Sequence, residues 1–325
     1  MTRRRRDIPI HLGDAFAVRD AVAAGVGEKR LRAADLERPF RGVRRRPSEP
    51  VRVDDPYERQ RVERVRMARA YIPRLKPGHF FCRETAASAW GGPLPVGFTP
   101  DGRVAQEREL GVHVGAFEPD ALPRAAGVIR HRMQAEMTQL REHDGLLLTS
   151  PATTWASLGT LRMPDLIALG DYFCRVWREG VGRPDAGRAS LATIAQLRRA
   201  MDSGRWRGIV ALREAIGWIR LDAWSPRESI VRFELVSGGL PEPELNVDVF
   251  DDAGRFLGCV DMAYRAQRVA VEYLGMIHGA AWAADVERIA ALRAAGWIVI
   301  EVTAPLFAEP RELVRRVRAA LRARA

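Results

Sequence analysis

The strongest constraint on this chain is the run from residue 224 to 307, where apolar spacing switches repeatedly between helical and alternating patterns. Ser225 and Glu228 stand at capping-box spacing ahead of residues 226–237, and Gly238–Gly239 closes the segment, so a helix is predicted with both ends marked. Leu245, Val247 and Val249 alternate with polar residues, 251–254 turns the chain, and 257–264 returns. A third strand over 269–274, a helix over 282–294 and a fourth strand over 297–302 complete the pattern. This order predicts an α/β (α+β) class, with a mixed sheet flanked by helices at the C-terminal end.

Two carboxylates stand out in that run. Asp261 ends the hairpin and Glu272 lies on the next, strongly apolar strand, so adjacent strands bring both to one end of the sheet. Charge in apolar surroundings is costly. A hard divalent cation is a natural counter-charge, because Mg²⁺ takes one or two carboxylates together with water and phosphate oxygens. Such an ion activates water and neutralises charge on a phosphodiester. Plainer roles stay open for the same residues: Glu228 as a cap, Asp261 as a hairpin terminator, Glu272 as the partner of Arg265 or Arg268, and His278 as a helix cap.

The segments SPRES, GLPEPELN, GCVDMAY, VAVEYLGMIH, DVERIAAL and GWIVIEVT resemble the Vsr-like endonuclease domain of the PD-(D/E)xK superfamily over residues 225–303. The resemblance implies a restriction-endonuclease-like fold with Glu228, Asp261, Glu272 and His278 as the catalytic set. Asp261 and Glu272 are the implied ligands of Mg²⁺ or Mn²⁺, and His278 assists proton transfer. Asp285 and Arg288 match helix positions that orient the site or contact DNA phosphate. Two departures strike the chemistry. Related domains read Glu-Tyr-Asp-Gly where this chain has Glu272–Tyr273–Leu274–Gly275, and they carry Arg where this chain has Glu301. Either Glu301 moves in as a replacement acid or turnover has been lost.

Charge placement directs attention to the other end. The net charge is +11, with 13 Arg and Lys against 7 Asp and Glu in residues 1–50 and 6 Arg against one Glu in residues 311–325. A basic segment on a neutral body is the footprint of a polyanion-binding surface. Arginine predominates throughout, lysine occurring only at 29 and 76, so solvated surface arginines are the bland alternative. Phe16, Val18, Val22 and Val26 predict a first helix, Gly25 and Gly27 bracket a break, 28–35 forms a second helix, and 36–46 suits a short wing. The stretch AAGVGEKRLRAADLERPFRGV resembles the winged-helix domain of AbiEi-type antitoxins and related transcription regulators. It implies DNA contacts from Lys29, Arg30 and Arg32 on a recognition helix and from Arg44, Arg45 and Arg46 on the wing, with a cognate toxin as a further partner. Residues 77–95 extend the likeness through Thr85–Ala86–Ala87 and Gly92–Pro93–Leu94–Pro95.

The expected domains are a winged helix over 1–50, a small α/β domain over 51–163, a helical connector over 164–222 and the nuclease-like domain over 223–325. The function these features predict is DNA binding coupled to Mg²⁺-dependent phosphodiester hydrolysis. The alternatives are a non-catalytic regulator or antitoxin that keeps a degenerate nuclease fold, and a protein-interaction module without nucleic acid. No apolar run approaches the ~20 residues of a membrane span and no apolar stretch follows the basic start, so no membrane partner and a cytoplasmic location are expected. Cys82, Cys174 and Cys259 form no CxxC pair, and His79, His113 and His131 lack metal-ligand spacing.

Overall fold

A computed structural model describes residues 8–47, 49, 52–181, 183, 185–274 and 280–325, with backbone alone for 280–283. The chain divides into two compact units, Met1–Thr160 with Ala195–Ile209 and Leu161–Ile194 with Val210–Ala325. Both are mixtures of helix and strand, the α+β class expected.

The first unit opens with β1 (Ala15–Ala17), α1 (Val18–Ala23), α2 (Glu28–Leu31) and β2 (Val43–Arg45), β1 and β2 pairing antiparallel. The order is strand, helix, turn, helix, strand: Phe16, predicted in the first helix, lies in β1, which precedes α1 and pairs with the 43–45 strand of the predicted wing. Its core is Ile8, Phe16, Ala21, Val26, Leu31 and Leu36. Gly25, at φ +79°, supplies the reversal between the helices. The second helix is shorter than the predicted 28–35. Arg30 turns both guanidinium nitrogens onto Asp35 at 3.0 Å each, and the Ala33 amide bonds back only three residues to Arg30. Next comes α3 (Pro56–Tyr71), capped by Asp55, whose side chain accepts from the Tyr57 amide.

Then follow β3 (His79–Phe81), α4 (Arg83–Ala89), β4 (Val112–Ala116), β5 (Val128–Arg132), β6 (Leu140–His143), β7 (Leu146–Thr149) and α5 (Pro151–Ser157). The five strands form one mixed sheet in the order β5-β4-β3-β7-β6. Asp144 and Gly145, at φ +48° and +73°, make the two-residue turn of a β6–β7 hairpin. The chain enters the second unit in α6 (Met163–Cys174), returns to the first in α7 (Ile194–Asp202), and re-enters the second at α8 (Ile209–Trp218).

The second unit continues with α9 (Pro226–Ser237), β8 (Glu244–Phe250), β9 (Phe256–Tyr264), β10 (Val269–Tyr273), α10 (Ala280–Ala294), β11 (Ile298–Val302), α11 (Ala304–Phe307) and α12 (Pro310–Arg322). Its sheet runs β11-β10-β9-β8; β10 and β11 are parallel across α10 and the remaining pairs are antiparallel. Apolar alternation on the strands creates two cores. Met262, Tyr264, Val269 and Val271 pack with Val231 and Leu235 of α9 and with Leu313 and Val317 of α12. Val247, Val260, Ala270 and Val299 pack with Ile289 and Leu292 of α10. Among the described residues, no helix is long and apolar enough to cross a membrane.

Candidate functional site

The second unit's sheet opens at one row. Strands β9 and β10 pair through Tyr264↔Val269, Ala263↔Ala270 and Met262↔Val271, and the next row would set Asp261 opposite Glu272. The ladder stops there. Asp261 Oδ2 instead accepts a hydrogen bond from the Tyr273 amide at 2.7 Å, so a carboxylate satisfies the backbone donor where the strands part.

Glu228 reaches the same row from the first turn of α9. Ser225 Oγ accepts from the Glu228 amide at 3.2 Å, and Glu228 Oε2 accepts from the Trp224 amide at 2.9 Å, a capping box displaced one residue upstream. That oxygen also accepts from Asn246 Nδ2 at 2.7 Å, while Nδ2 donates to the Asp222 carbonyl at 2.6 Å. Asn246 is buried and left-handed, φ +49°, within strand β8. Its neighbours Leu245↔Met262 and Val247↔Val260 put it level with Asp261. Leu245 and Met262 face the α9 and α12 core, whereas Val247 and Val260 face the α10 core, so inward parity reverses on both strands at this row. Arg178 donates to the carbonyls of Asn246 and Leu245, and Arg183 donates to that of Asn246 at 3.3 Å.

Glu272 completes the cluster. It is 2% exposed, and Arg288 of α10 grips it in a two-pronged pair, Nη1 to Oε1 at 2.9 Å and Nη2 to Oε2 at 3.3 Å. Arg288 also donates to Asp285 Oδ1 at 3.1 Å and to the Cys259 carbonyl at 3.3 Å. Gly258 makes room for this side chain: a Cβ there would stand 2.7 and 2.8 Å from the Arg288 Cδ and Cγ.

Carboxylate outweighs cation here, and the proton affinities record it. Burial, then the charge of Asp261, pushes the Glu272 carboxyl well above the ordinary range against the pull of Arg288. Desolvation, then the charge of Glu228, raises half-buried Asp261, opposed by the Tyr273 amide and Arg288. Burial raises Glu228 against its bonds from Trp224, Asn246 and Ser225.

The structure therefore brings together Glu228, Asp261, Glu272 and Arg288 from the sequence-derived set. His278 lies outside the described residues. The partner of Glu272 is Arg288 and not Arg265 or Arg268, which reach Glu244 at 2.7 Å and Asp252 at 3.9 Å. Leu274 packs against the α10-side core. Glu301 stands beside Glu272 in the β10–β11 register but pairs with Arg293, so it does not move into the cluster. Asn246, Arg178 and Arg183 join the site without a signal in the sequence. Alternation of Leu245, Val247 and Val249 makes an intervening Asn read as solvent-facing, and only the parity reversal exposes its role.

Fit to a divalent ion turns on the number of donors. Among the described residues, no three His, Cys, Asp or Glu side chains are arranged to hold a metal. Mg²⁺ is content with two carboxylates when water and phosphate complete its shell, and Asp261 and Glu272 supply that number. The donor set fits on the condition that Arg288 releases Glu272.

In the first unit, Lys29 is exposed on α2, whereas the other cations of the sequence-derived DNA set have internal partners. Arg30 pairs with Asp35, Arg32 with Glu28 at 2.7 Å, and Arg44 donates to the Leu31 carbonyl at 2.6 Å, closing the last turn of α2. Arg46 donates to the Ile8 and Pro9 carbonyls at 3.0 Å each. Arg45 is buried rather than displayed on the wing, because Glu37 and Glu107 enclose its guanidinium at 2.5 and 2.8 Å. A groove of about 700 Å³ beside it is lined by Arg46, Arg61, Arg66 and exposed Arg69. His79 binds the Ala121 carbonyl at 2.8 Å, and His113 lies 3.0 Å from both Glu84 and His131.

Fold and site define an α+β protein with a carboxylate cluster at an opened sheet row. It belongs to the family of two Mycobacterium tuberculosis proteins, Uncharacterized protein Rv2248 and Uncharacterized protein MT2308, each 30% identical to it over 242 residues, which span 73% of this chain and 79% of the relative. No family model matches the chain. No solved structure matches it either.

Proposed function

We propose that this chain is a cytoplasmic DNA-binding protein, AbiEi-like at its winged-helix start, whose second unit carries over residues 223–325 a Vsr-like, PD-(D/E)xK-type domain hydrolysing phosphodiesters with Mg²⁺ or Mn²⁺. The observation that carries the reading is the meeting of Glu228, Asp261 and Glu272, from three separate elements, at the row where β9 and β10 part. Asp261 and Glu272 would hold the ion. When bound, it supplies positive charge against the phosphodiester and makes water more acidic. The chain's own groups do the positioning: the Tyr273 amide orients Asp261, and Asn246 with the Trp224 amide fixes Glu228. His278 keeps the proton-transfer role that the resemblance implies.

The test is incubation of supercoiled plasmid and single-stranded DNA with Mg²⁺ or Mn²⁺, comparing the wild type with Asp261→Ala. Cleavage by the wild type alone is expected; equal nicking by both proteins rejects this active site. For the DNA-binding half, Lys29→Ala is expected to weaken duplex binding across sequences and to reduce the slope of log K against log salt by about 1. An unchanged slope would remove α2 from the contact surface.

The packing of Leu274 into the α10-side core favours a second reading, a non-catalytic regulator or antitoxin that keeps the fold as a scaffold and binds a cognate toxin. Intact plasmid in every metal, together with a persistent salt-sensitive DNA shift, would select it.

A further inference from the structure

A cation already stands at this acid row, the Arg288 guanidinium. It covers both oxygens of Glu272, one of the two carboxylates assigned to the ion, and it is tied back to Asp285 and the Cys259 carbonyl. The arrangement is built into the backbone as well. Gly258 leaves a trough in β9 through which the Arg288 stem passes, and a side chain of any size there would meet Cγ and Cδ. The guanidinium takes a lone pair on each Glu272 oxygen and sets like charge beside any divalent ion there, so the two compete for this carboxylate. Arginine also matches phosphate as it matches carboxylate, in planar two-pronged geometry. The side chain is 22% exposed, which leaves it an outlet towards solvent.

We propose that Arg288 is an internal counter-ion that keeps a divalent cation off the Asp261–Glu272 pair until a phosphodiester draws the guanidinium away. The inference rests on the metal-dependent reading of this site. In its resting form the protein holds the acid pair neutralised by its own arginine. Nucleic-acid phosphate, arriving over the opened row, exchanges with Glu272 for Arg288 and frees the carboxylate. Metal and substrate then bind with positive cooperativity, since each favours the released arginine.

The experiment measures Mn²⁺ binding to the full chain, by the electron-paramagnetic signal of free Mn²⁺, without and with a short phosphorothioate duplex. The wild type is expected to bind Mn²⁺ weakly alone and roughly tenfold more tightly with duplex. Arg288→Gln is expected to bind tightly in both conditions. Gly258→Ala, which crowds the arginine from outside the acid cluster, is expected to shift in the same direction, and thermal melting establishes that each variant is folded. Equal Mn²⁺ affinity in the wild type and both variants, with no effect of duplex, overturns the counter-ion role while the metal site stands. Failure of every protein to bind Mn²⁺, with or without duplex, overturns the metal-dependent reading and this inference with it.

Discussion

Arg232→Ala is expected to destabilise the second unit by ~3–5 kcal/mol, the cost of removing one partner from a buried ion pair. Arg232 is fully buried on α9, with Nη1 2.8 Å from Glu242, Nη2 donating to the Trp218 carbonyl at 2.6 Å and lying 3.6 Å from Asp171 of α6. Asp171 is 1% exposed, and burial pushes its carboxyl up to about 6 even with Arg232 beside it. Losing the guanidinium leaves that carboxylate with the Arg220 amide at 2.7 Å, the Ser229 side chain and the more distant charge of Arg220. The pH dependence follows. A carboxyl raised above its unfolded value of about 3.9 favours the fold when protonated and costs stability as pH rises past that value towards the folded one. In the variant the folded value climbs further, so the loss is expected to be larger at pH 8 than at pH 5. Thermal melting at both pH values checks this, with a fall of roughly 10 °C expected at the higher one. A loss independent of pH would mean that Asp171 does not depend on Arg232.

Local rules made much of the second unit legible, and they failed where a residue's partner lies far along the chain. Ser225, Glu228 and Gly238–Gly239 bound α9 because caps and stops act over one turn, and the apolar alternation of β8, β9 and β10 needs no knowledge of the fold. The acids Asp261 and Glu272 were visible as charges in apolar strands. The cation that meets Glu272 was not. Arg265 and Arg268 are nearer in sequence, but they sit on the turn joining β9 to β10, with Arg268 at φ +49°, and their side chains go to Glu244 and Asp252. Arg288 reaches Glu272 only because α10 lies over that face of the sheet. Wing arginines misled for the same reason. Arg45 reads as a solvated cation until Glu107, remote in sequence, closes on it. The left-handed Asn246 leaves no trace in composition or periodicity, since strain of this kind is set by what the neighbouring strands and loops demand.

Asp261→Asn is expected to separate activity from stability. The substitution keeps an oxygen able to accept from the Tyr273 amide, so the open end of the β9–β10 ladder stays capped. It removes one negative charge from a row where Glu228 raises Asp261 and Asp261 in turn raises Glu272. Relief of that repulsion is worth a modest gain, and the variant is expected to melt no lower than the wild type at neutral pH and without metal. Cleavage should behave in the opposite way. A neutral amide is a poor ligand for a hard divalent ion, and several kcal/mol of charge stabilisation at the phosphodiester disappear with it. At about 1.4 kcal/mol per factor of ten, the rate should fall ~10³-fold or more. A residue conserving only the fold would show the reverse, a lower melting temperature with cleavage retained in proportion to the folded protein. Melting curves in EDTA and plasmid cleavage in Mn²⁺ on the same preparations decide between them, and retained cleavage would remove Asp261 from the chemistry.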